Sequence, residues 1–305
     1  MKKLVRKGEV KEVFQISQEE LEFHFSDNIF VFDKLLPDEI PRKGESLCKT
    51  SAYWFEKTEE LGFKTHFIKI KEDEEDKMRV KNLGSIDDHE EIDEETTGYR
   101  IPLEFISRHY MAGSLYERFK KGEIDLEGLG FREEPEYGDR LPEPLLEVRT
   151  KIQDDSRVVD REEAQSIAGL TENEFDRIEE MVFEIDEMIK ENAENNGLIH
   201  IDSGKEFAMT EDREPMVIDS FGNVDEDRFW SKESYEEGDP VRANKELIRQ
   251  HYMENGYYDD LMKSRENNDD EPPVPSLSEE MLDRTSKTYV DLMFRLTNGT
   301  YGDNI

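Results

Sequence analysis

The chain has 305 residues, 77 of them acidic and 41 basic, so its formal net charge is -36 at pH 7. That charge argues against a nucleic-acid partner, because a phosphate backbone is held by basic patches. Hydrophobic residues make up only 34%, yet aromatics make up 10%, with 17 Phe and 11 Tyr, which argues against a disordered acidic chain and for a folded protein with an acidic surface.

In chain order, the first part reads as strands. Glu9 to Ile16 alternates around Val10, Val13, Phe14 and Ile16. Leu21 to Phe25 alternates as Leu-Glu-Phe-His-Phe, and Ile29 to Phe32 follows a polar turn at Ser26-Asp27-Asn28. A Pro-rich break (Pro37, Pro41) leads to a helix from about Glu45 to Leu61, with Gly62 as its stop. Thr65 to Ile70 and Met78 to Val80 are two more strands, and short adjacent strands of this kind predict an antiparallel sheet. Beyond an acidic linker, Ser85 to Gly98, the spacing predicts a strand over Pro102 to Ser107 and a helix from Gly113 through Lys121. Asp139 to Leu145 is extended, because each Pro disfavours helix before it. Thr171-Glu172-Asn173-Glu174 is a capping box, and it starts the clearest helix, apolar at Phe175, Ile178, Val182, Ile185 and Ile189. That helix ends at Asn195-Asn196-Gly197. Leu198 to Ile201 and Pro215 to Ile218 are strands around a polar hairpin (Thr210 to Glu214), and helices cover Val241 to Tyr252 and Ser278 to Leu296.

The carboxylates are spread along the chain, with one dense region (Glu72 to Asp76, then Asp87 to Glu95), which argues against a single acidic tail. In ordinary salt such a charge opposes compaction, whereas at molar salt the Debye length shrinks to roughly 3 Å and the repulsion is screened. A halophilic host is the simplest expectation. The one cysteine, Cys48, rules out an internal disulfide and fits a reducing cytoplasm. The basic start, Met1 to Lys7, lacks the apolar run of a signal peptide, and no stretch approaches membrane-spanning length, so a soluble, cytoplasmic protein is expected.

Four segments carry residue types suited to anion chemistry. In Gly8-Glu9-Val10-Lys11 a Gly lets backbone approach a phosphate and a Lys supplies charge; the plainer alternative is a hairpin corner with an exposed Lys. Ser26 to Asp33 followed by Ile40-Pro41-Arg42-Lys43-Gly44 places Asp27, Asp33 and Lys43 at a cleft edge, or forms only a turn and a surface loop. In Ile101 to Ser114, Arg108 at a strand end and Gly113-Ser114 at a helix start suit a phosphate, with Ser114 as a simple helix cap being the alternative. Glu206 and Asp219, on two adjacent strands, suit magnesium, although paired carboxylates are common in so acidic a chain.

Taken together and in order, these segments resemble the SAICAR synthetase family. Pro102, Glu104, Arg108, Gly113 and Ser114 match its most specific signature, with Ser107 in place of an apolar residue. Gly8 and Lys11, Ser26 to Asp33, Ile40 to Gly44, Leu141-Pro142-Glu143-Pro144 and Asp225 to Trp230 match further elements, and the likeness runs from about residue 5 to about residue 295. The family's Asp-x-Lys-x-Glu-(Phe/Ile)-Gly element departs here: Asp202, Glu206 and Phe207 align, but Gly204 stands at the Lys position and Ala208 at the final Gly. Lys205 sits one place late and on a strand points to the opposite face. Either a β-bulge restores its direction or Arg228 and other cations take its role.

The resemblance implies an α+β fold, with an N-terminal antiparallel sheet domain (1–84), a larger C-terminal α/β domain (85–305) and ATP in the interdomain cleft. It implies an enzyme that ligates L-aspartate to carboxyaminoimidazole ribonucleotide in purine biosynthesis, using ATP and Mg2+ through an acyl phosphate. By position, Gly8, Val10 and Lys11 are expected on the ATP phosphates, Lys81 to Leu83 beside adenine, and Glu206 and Asp219 on Mg2+. Arg108, Ser114, Asp202 and Arg228 are expected on the ribonucleotide, with Lys11, Arg108, Asp202 and Arg228 serving the reaction; Lys43 and Lys151 are further candidates for substrate anions. The partners implied are small molecules, and homo-oligomerisation is left open. The alternative reading is another ATP-dependent ligase or phosphotransferase on the same scaffold; an acidic interaction protein without activity is disfavoured by Lys11, Arg108, Ser114 and Asp219. For the charge adaptation, the melting temperature is expected to rise steeply with KCl concentration, and a flat response in a thermal-melt series would defeat it.

Overall fold

A computed structural model describes residues 2–84, 92–124, 126, 128–152, 156–240 and 243–301. The acidic linker predicted over Ser85 to Gly98 and the start of the helix predicted from Val241 thus fall partly outside the described residues. The chain opens with β1 (Lys3–Lys7), β2 (Lys11–Gln15) and β3 (Glu20–Phe25), then the hairpin β4 (Asn28–Val31) and β5 (Lys34–Glu39). Helix α1 (Lys43–Glu60) ends at Leu61 with Gly62 left-handed behind it, as the glycine predicts. Next come β6 (Lys64–Thr65), β7 (Phe67–Lys71) and β8 (Glu74–Lys81). The remainder is β9 (Tyr99–Tyr110), α2 (Gly113–Lys120), β10 (Arg140–Thr150), β11 (Val158–Val159), α3 (Arg161–Ala168), α4 (Glu172–Asn195), β12 (Leu198–Met209), β13 (Pro215–Ile218), β14 (Arg228–Ser231), α5 (Lys232–Glu236), α6 (Glu246–Glu254), α7 (Tyr257–Asn267) and α8 (Glu279–Leu296).

The first sheet has the order β1-β2-β3-β8-β7, all antiparallel. The second has the order β11-β10-β9-β12-β13-β6, with β14 also on β12; its β13–β6 pair is parallel and the rest antiparallel. Helix α1 lies on β8 of the first sheet and against α8, while α4 covers β12 and β9 of the second. The fold is therefore α+β, as expected. The capping box is present: Thr171 Oγ1 accepts from the Glu174 N–H and Glu174 reaches back to the Thr171 N–H.

Three local readings change. The segment predicted as one strand over Thr65 to Ile70 splits at His66, whose N–H donates to the Val217 carbonyl at 3.1 Å while its carbonyl accepts from Lys81 at 2.7 Å, so β6 and β7 join different sheets. The Pro37 break is instead strand β5, tolerated because its hairpin has no third strand to demand the missing N–H. The basic start, unassigned in the sequence, is edge strand β1, pairing Leu4 with Phe14. Pro102 lies inside the central strand β9, where Arg100 faces Ala208 and Glu104 faces Glu206; the mismatch of three residues against one is a bulge, which removes the ladder position that Pro cannot serve.

Strand β12 divides the second sheet into two chemical faces. Its odd-numbered Lys205 is fully buried under α4, with its ammonium on the Asp186 carboxylate and on Ser203 Oγ at 2.8 Å. Asp186 also meets His109 Nε2 at 3.1 Å, and His200 Nε2 donates to Asp227 at 2.9 Å. Burial pushes the Asp186 carboxyl up, but Lys205 and the His109 hydrogen bond outweigh it and hold it well below the usual range. A buried pair of this kind resists removal of one partner. Lys205→Met is expected to cost about 3–5 kcal/mol in denaturant titrations, with Lys205→Met/Asp186→Leu recovering part of the loss; equal stabilities for Lys205→Met and wild type would remove the pair from the core's energetics.

Candidate active site

A cavity of about 800 Å3 is lined from both sheets. The first sheet contributes the β1–β2 turn (Gly8 to Val10), Lys11, and an apolar wall of Val13, Leu21 and Phe23, with Lys81 to Leu83 beside it. The second sheet contributes alternate residues of its central strands: Arg100, Glu104, Ile106 and Arg108 from β9, and Asp202, Gly204 and Glu206 from β12. Arg149 and Lys151, two apart at the end of β10, complete that face, and Asp219, Ser220, Glu226 and Arg228 come from the chain after β13. Eight lining residues are Lys or Arg and six are Asp or Glu, so the cavity carries a cationic excess inside a chain of net charge -36. An anionic ligand is what such a cavity favours.

At the centre, Lys11 Nζ lies 2.7 Å from Asp219 Oδ1 and 2.6 Å from Glu226 Oε1, and donates to Ser220 Oγ at 2.5 Å. Burial pulls the Lys11 ammonium down, but Asp219 and Glu226 outweigh it and hold it above its usual value. Asp219 sits at φ 64, a left-handed conformation that costs a non-glycine residue about 1 kcal/mol or more, and its carboxylate faces the cavity. Burial raises the Asp219 carboxyl, and Lys11 and Arg100 more than reverse this. Glu206, raised by burial and then by the charge of Asp219, binds the Arg100 guanidinium and lies 3.1 Å from Lys151 Nζ. His66 is buried behind this group, and burial pushes its imidazole down to about 3. Neutral at pH 7, it donates from Nε2 to the Asp219 carbonyl at 2.9 Å, which fixes its tautomer.

At the far end, Arg108 Nη2 donates to Glu147 at 2.8 Å and to Ser114 Oγ at 3.1 Å, while Asp202 stands 3.5 Å from both Arg108 Nη1 and Arg228 Nε. The Arg228 guanidinium lies over Gly113 at the start of α2, where φ is +52 and any Cβ would overlap it. Only glycine admits this approach. Arg108 Nε is buried with no hydrogen-bond acceptor, and Arg228 Nε has only the 3.5 Å approach of Asp202. Two guanidinium groups beside a helix N-terminus and a serine hydroxyl suit a phosphate or carboxylate. The adjacent carboxylates of Glu206 and Asp219 are hard oxygen donors of the kind Mg2+ takes alongside nucleotide phosphates, so the residues present fit that ion.

Of the residues singled out in the sequence, Gly8, Val10, Lys11, Lys81, Leu83, Arg108, Ser114, Lys151, Asp202, Glu206, Asp219 and Arg228 all line this one cavity. Lys43 does not. It is fully buried, 2.8 Å from Asp225 Oδ2 and donating to the Ser26 carbonyl at 3.1 Å, because α1 begins at Lys43 and turns it inward onto the loop after β13. Asp27 likewise caps this helix start, accepting from the Gly44 N–H at 2.7 Å. Lys205 is on the rear face. The bulge in the β9–β12 pairing falls beyond Glu206, too late to turn it round. Arg100, Arg149, Glu147 and Glu226 were not singled out as site residues. The period-2 pattern of β9 and β10 carries a signal for Arg100, Glu147 and Arg149, once the strands are extended to their full lengths.

A family model described as SAICAR synthetase matches residues 4–264. The chain is 43% identical over 295 residues to the phosphoribosylaminoimidazole-succinocarboxamide synthase of Thermoplasma acidophilum, covering 97% of this chain and 98% of that one. Its structure is similar to that of SAICAR synthase from Saccharomyces cerevisiae complexed with SAICAR, with a TM-score of 0.75 at 22% identity over 97% of this chain and 95% of that one. A SAICAR synthetase (type 2) in complex with ADP gives a TM-score of 0.65 at 22% identity over 96% and 97% of the two chains. At that identity the two structures establish the shared fold. With the family model covering most of its length and a relative this similar end to end, the chain belongs to the SAICAR synthetase family, ligases of purine biosynthesis.

Proposed function

We propose that this chain joins the amino group of L-aspartate to the carboxylate of carboxyaminoimidazole ribonucleotide, cleaving ATP to ADP and phosphate. The observation that carries the reading is the single cavity with an apolar wall at one end, a Lys and two metal-suited carboxylates at its centre, and an arginine cradle at the other. ATP lies in the cleft between the residues before and after about residue 84, its base against Val13, Leu21 and Leu83 and its phosphates by Gly8 to Lys11. Arg108, Ser114 and Arg228 hold the ribonucleotide's anionic groups. The relatives whose structures contain SAICAR and ADP support this pair of ligands.

A carboxylate does not react with an amine at pH 7 until it is activated. In this mechanism, a carboxylate oxygen of the ribonucleotide attacks the γ-phosphorus, the bond to ADP breaks, and an acyl phosphate forms. The aspartate amine then attacks the acyl carbon, phosphate leaves, and the nitrogen loses its proton. Lys11 neutralises the transferring phosphoryl group, and Arg108 and Arg228 fix the attacking carboxylate in line, so positioning and charge do the work. Glu206 and Asp219 would hold Mg2+, which supplies further neutralisation of the phosphates. The setting we propose is a salt-rich cytoplasm, where the surface charge is screened; among the described residues no helix is long and apolar enough to cross a membrane.

In molar KCl with Mg2+, ATP, the ribonucleotide and aspartate, the protein is expected to release ADP in an aspartate-dependent manner. ADP release that ignores aspartate would sink the ligase reading. Arg108→Ala is expected to weaken ribonucleotide binding by about a hundredfold in calorimetry while ADP binding is kept. Loss of both would point to misfolding instead.

A further inference from the structure

Arg100 has a place in the cavity that its neighbours do not share. On β9 it follows the same face as Glu104 and Arg108, and its guanidinium lies against the two carboxylates suited to a divalent cation. Nη2 donates to Glu206 and lies 3.8 Å from Asp219 Oδ2. Lys151 differs, because it holds Glu104 Oε1 at 3.3 Å as well as Glu206 at 3.1 Å. Lys11 differs too, because it is held by Glu226 besides Asp219. Among the described residues the anions that Arg100 pairs with are Glu206 and Asp219 alone. Its side chain lines the cavity and is about one-third exposed.

A divalent ion coordinated by both carboxylates needs their oxygens at about 2.0–2.1 Å. A guanidinium held on Glu206 and facing Asp219 competes with it for those oxygens and repels it by like charge. Arg is permanently charged and its planar fork suits phosphate oxygens, so a displaced Arg100 has a matching partner only when a nucleotide enters with the metal. We propose that Arg100 is an exchangeable counterion: it occupies the Glu206–Asp219 pair in the nucleotide-free protein and transfers to a nucleotide phosphate as the metal takes its place. The exchange makes metal and nucleotide bind as a unit and keeps free divalent ions out of the site. This rests on the reading of the cavity as a metal–nucleotide site, and it adds a residue whose task is to couple the two ligands.

The experiment measures Mn2+ binding by electron paramagnetic resonance, with and without ADP, in KCl at which the wild type is folded. Arg100→Met, of similar length and no charge, is expected to bind Mn2+ without nucleotide about tenfold more tightly than wild type, since a cation next to the metal has gone. Its ADP affinity should fall, so the factor by which ADP tightens Mn2+ binding shrinks. Arg100→Lys, keeping the charge, should stay near the wild type. Unchanged Mn2+ affinity in a folded Arg100→Met, in a wild type that binds Mn2+ with ADP, overturns the role of Arg100 alone. A wild type that binds no Mn2+ with ADP overturns the nucleotide reading and this proposal with it. Should Arg100→Met not fold, Arg100→Gln makes the same comparison.

Discussion

The pairing of β9 with β12 sets Arg108 opposite Asp202 and Glu104 opposite Glu206. Because side chains alternate along a strand, this one register sorts the central sheet into a cavity face and a core face. Arg100, Arg108, Asp202 and Glu206 go to the cavity; Phe105, Phe207 and Lys205 go under α4. A slip by one residue would bury the arginines against the helix and expose the phenylalanines. The bulge at Pro102 belongs to the same constraint, since its two extra residues preserve parity and keep Arg100 on the face of Glu104.

Charge is the second organising quantity. A chain of net charge -36 has no general attraction for a phosphate, so its anion site must be built locally. It is built by gathering eight of the 41 basic residues around one cavity and holding several of them in place with carboxylates. Glu147 is the clearest example: Arg108, Arg118 and Arg149 all converge on it. Those carboxylates reduce the field but fix the guanidinium planes, which favours a ligand of defined geometry over diffuse counterions.

The core pays for its polar contents by pairing them. Lys205 with Asp186, Lys43 with Asp225 and His200 with Asp227 are each almost completely buried, and each ties an element to the loop or strand that carries cavity residues. Asp227 precedes Arg228, His109 follows Arg108, and Lys205 lies between Gly204 and Glu206. The rear network therefore anchors the backbone from which the cavity side chains project, and links core energetics to site geometry.

The sequence by itself determined the local elements whose signals are short-range: the capping box at Thr171, the amphipathic face of α4, the stop at Gly62, and most of the strands. It also determined the family, because the ordered motifs survive as residue types along nearly the whole length, and with it twelve residues that meet in one cavity. What only the tertiary structure decided depends on partners far along the chain. The division of one predicted strand at His66 between two sheets needs Val217, 151 residues later, to accept its bond. The inward turn of Lys43 needs Asp225, and the arrival of Arg100 at Glu206 needs the register across the bulge. The displaced Lys205 combined both kinds of information: alternation along the strand predicted its facing away, while its burial against Asp186 on α4 became visible only once that helix was laid across the sheet.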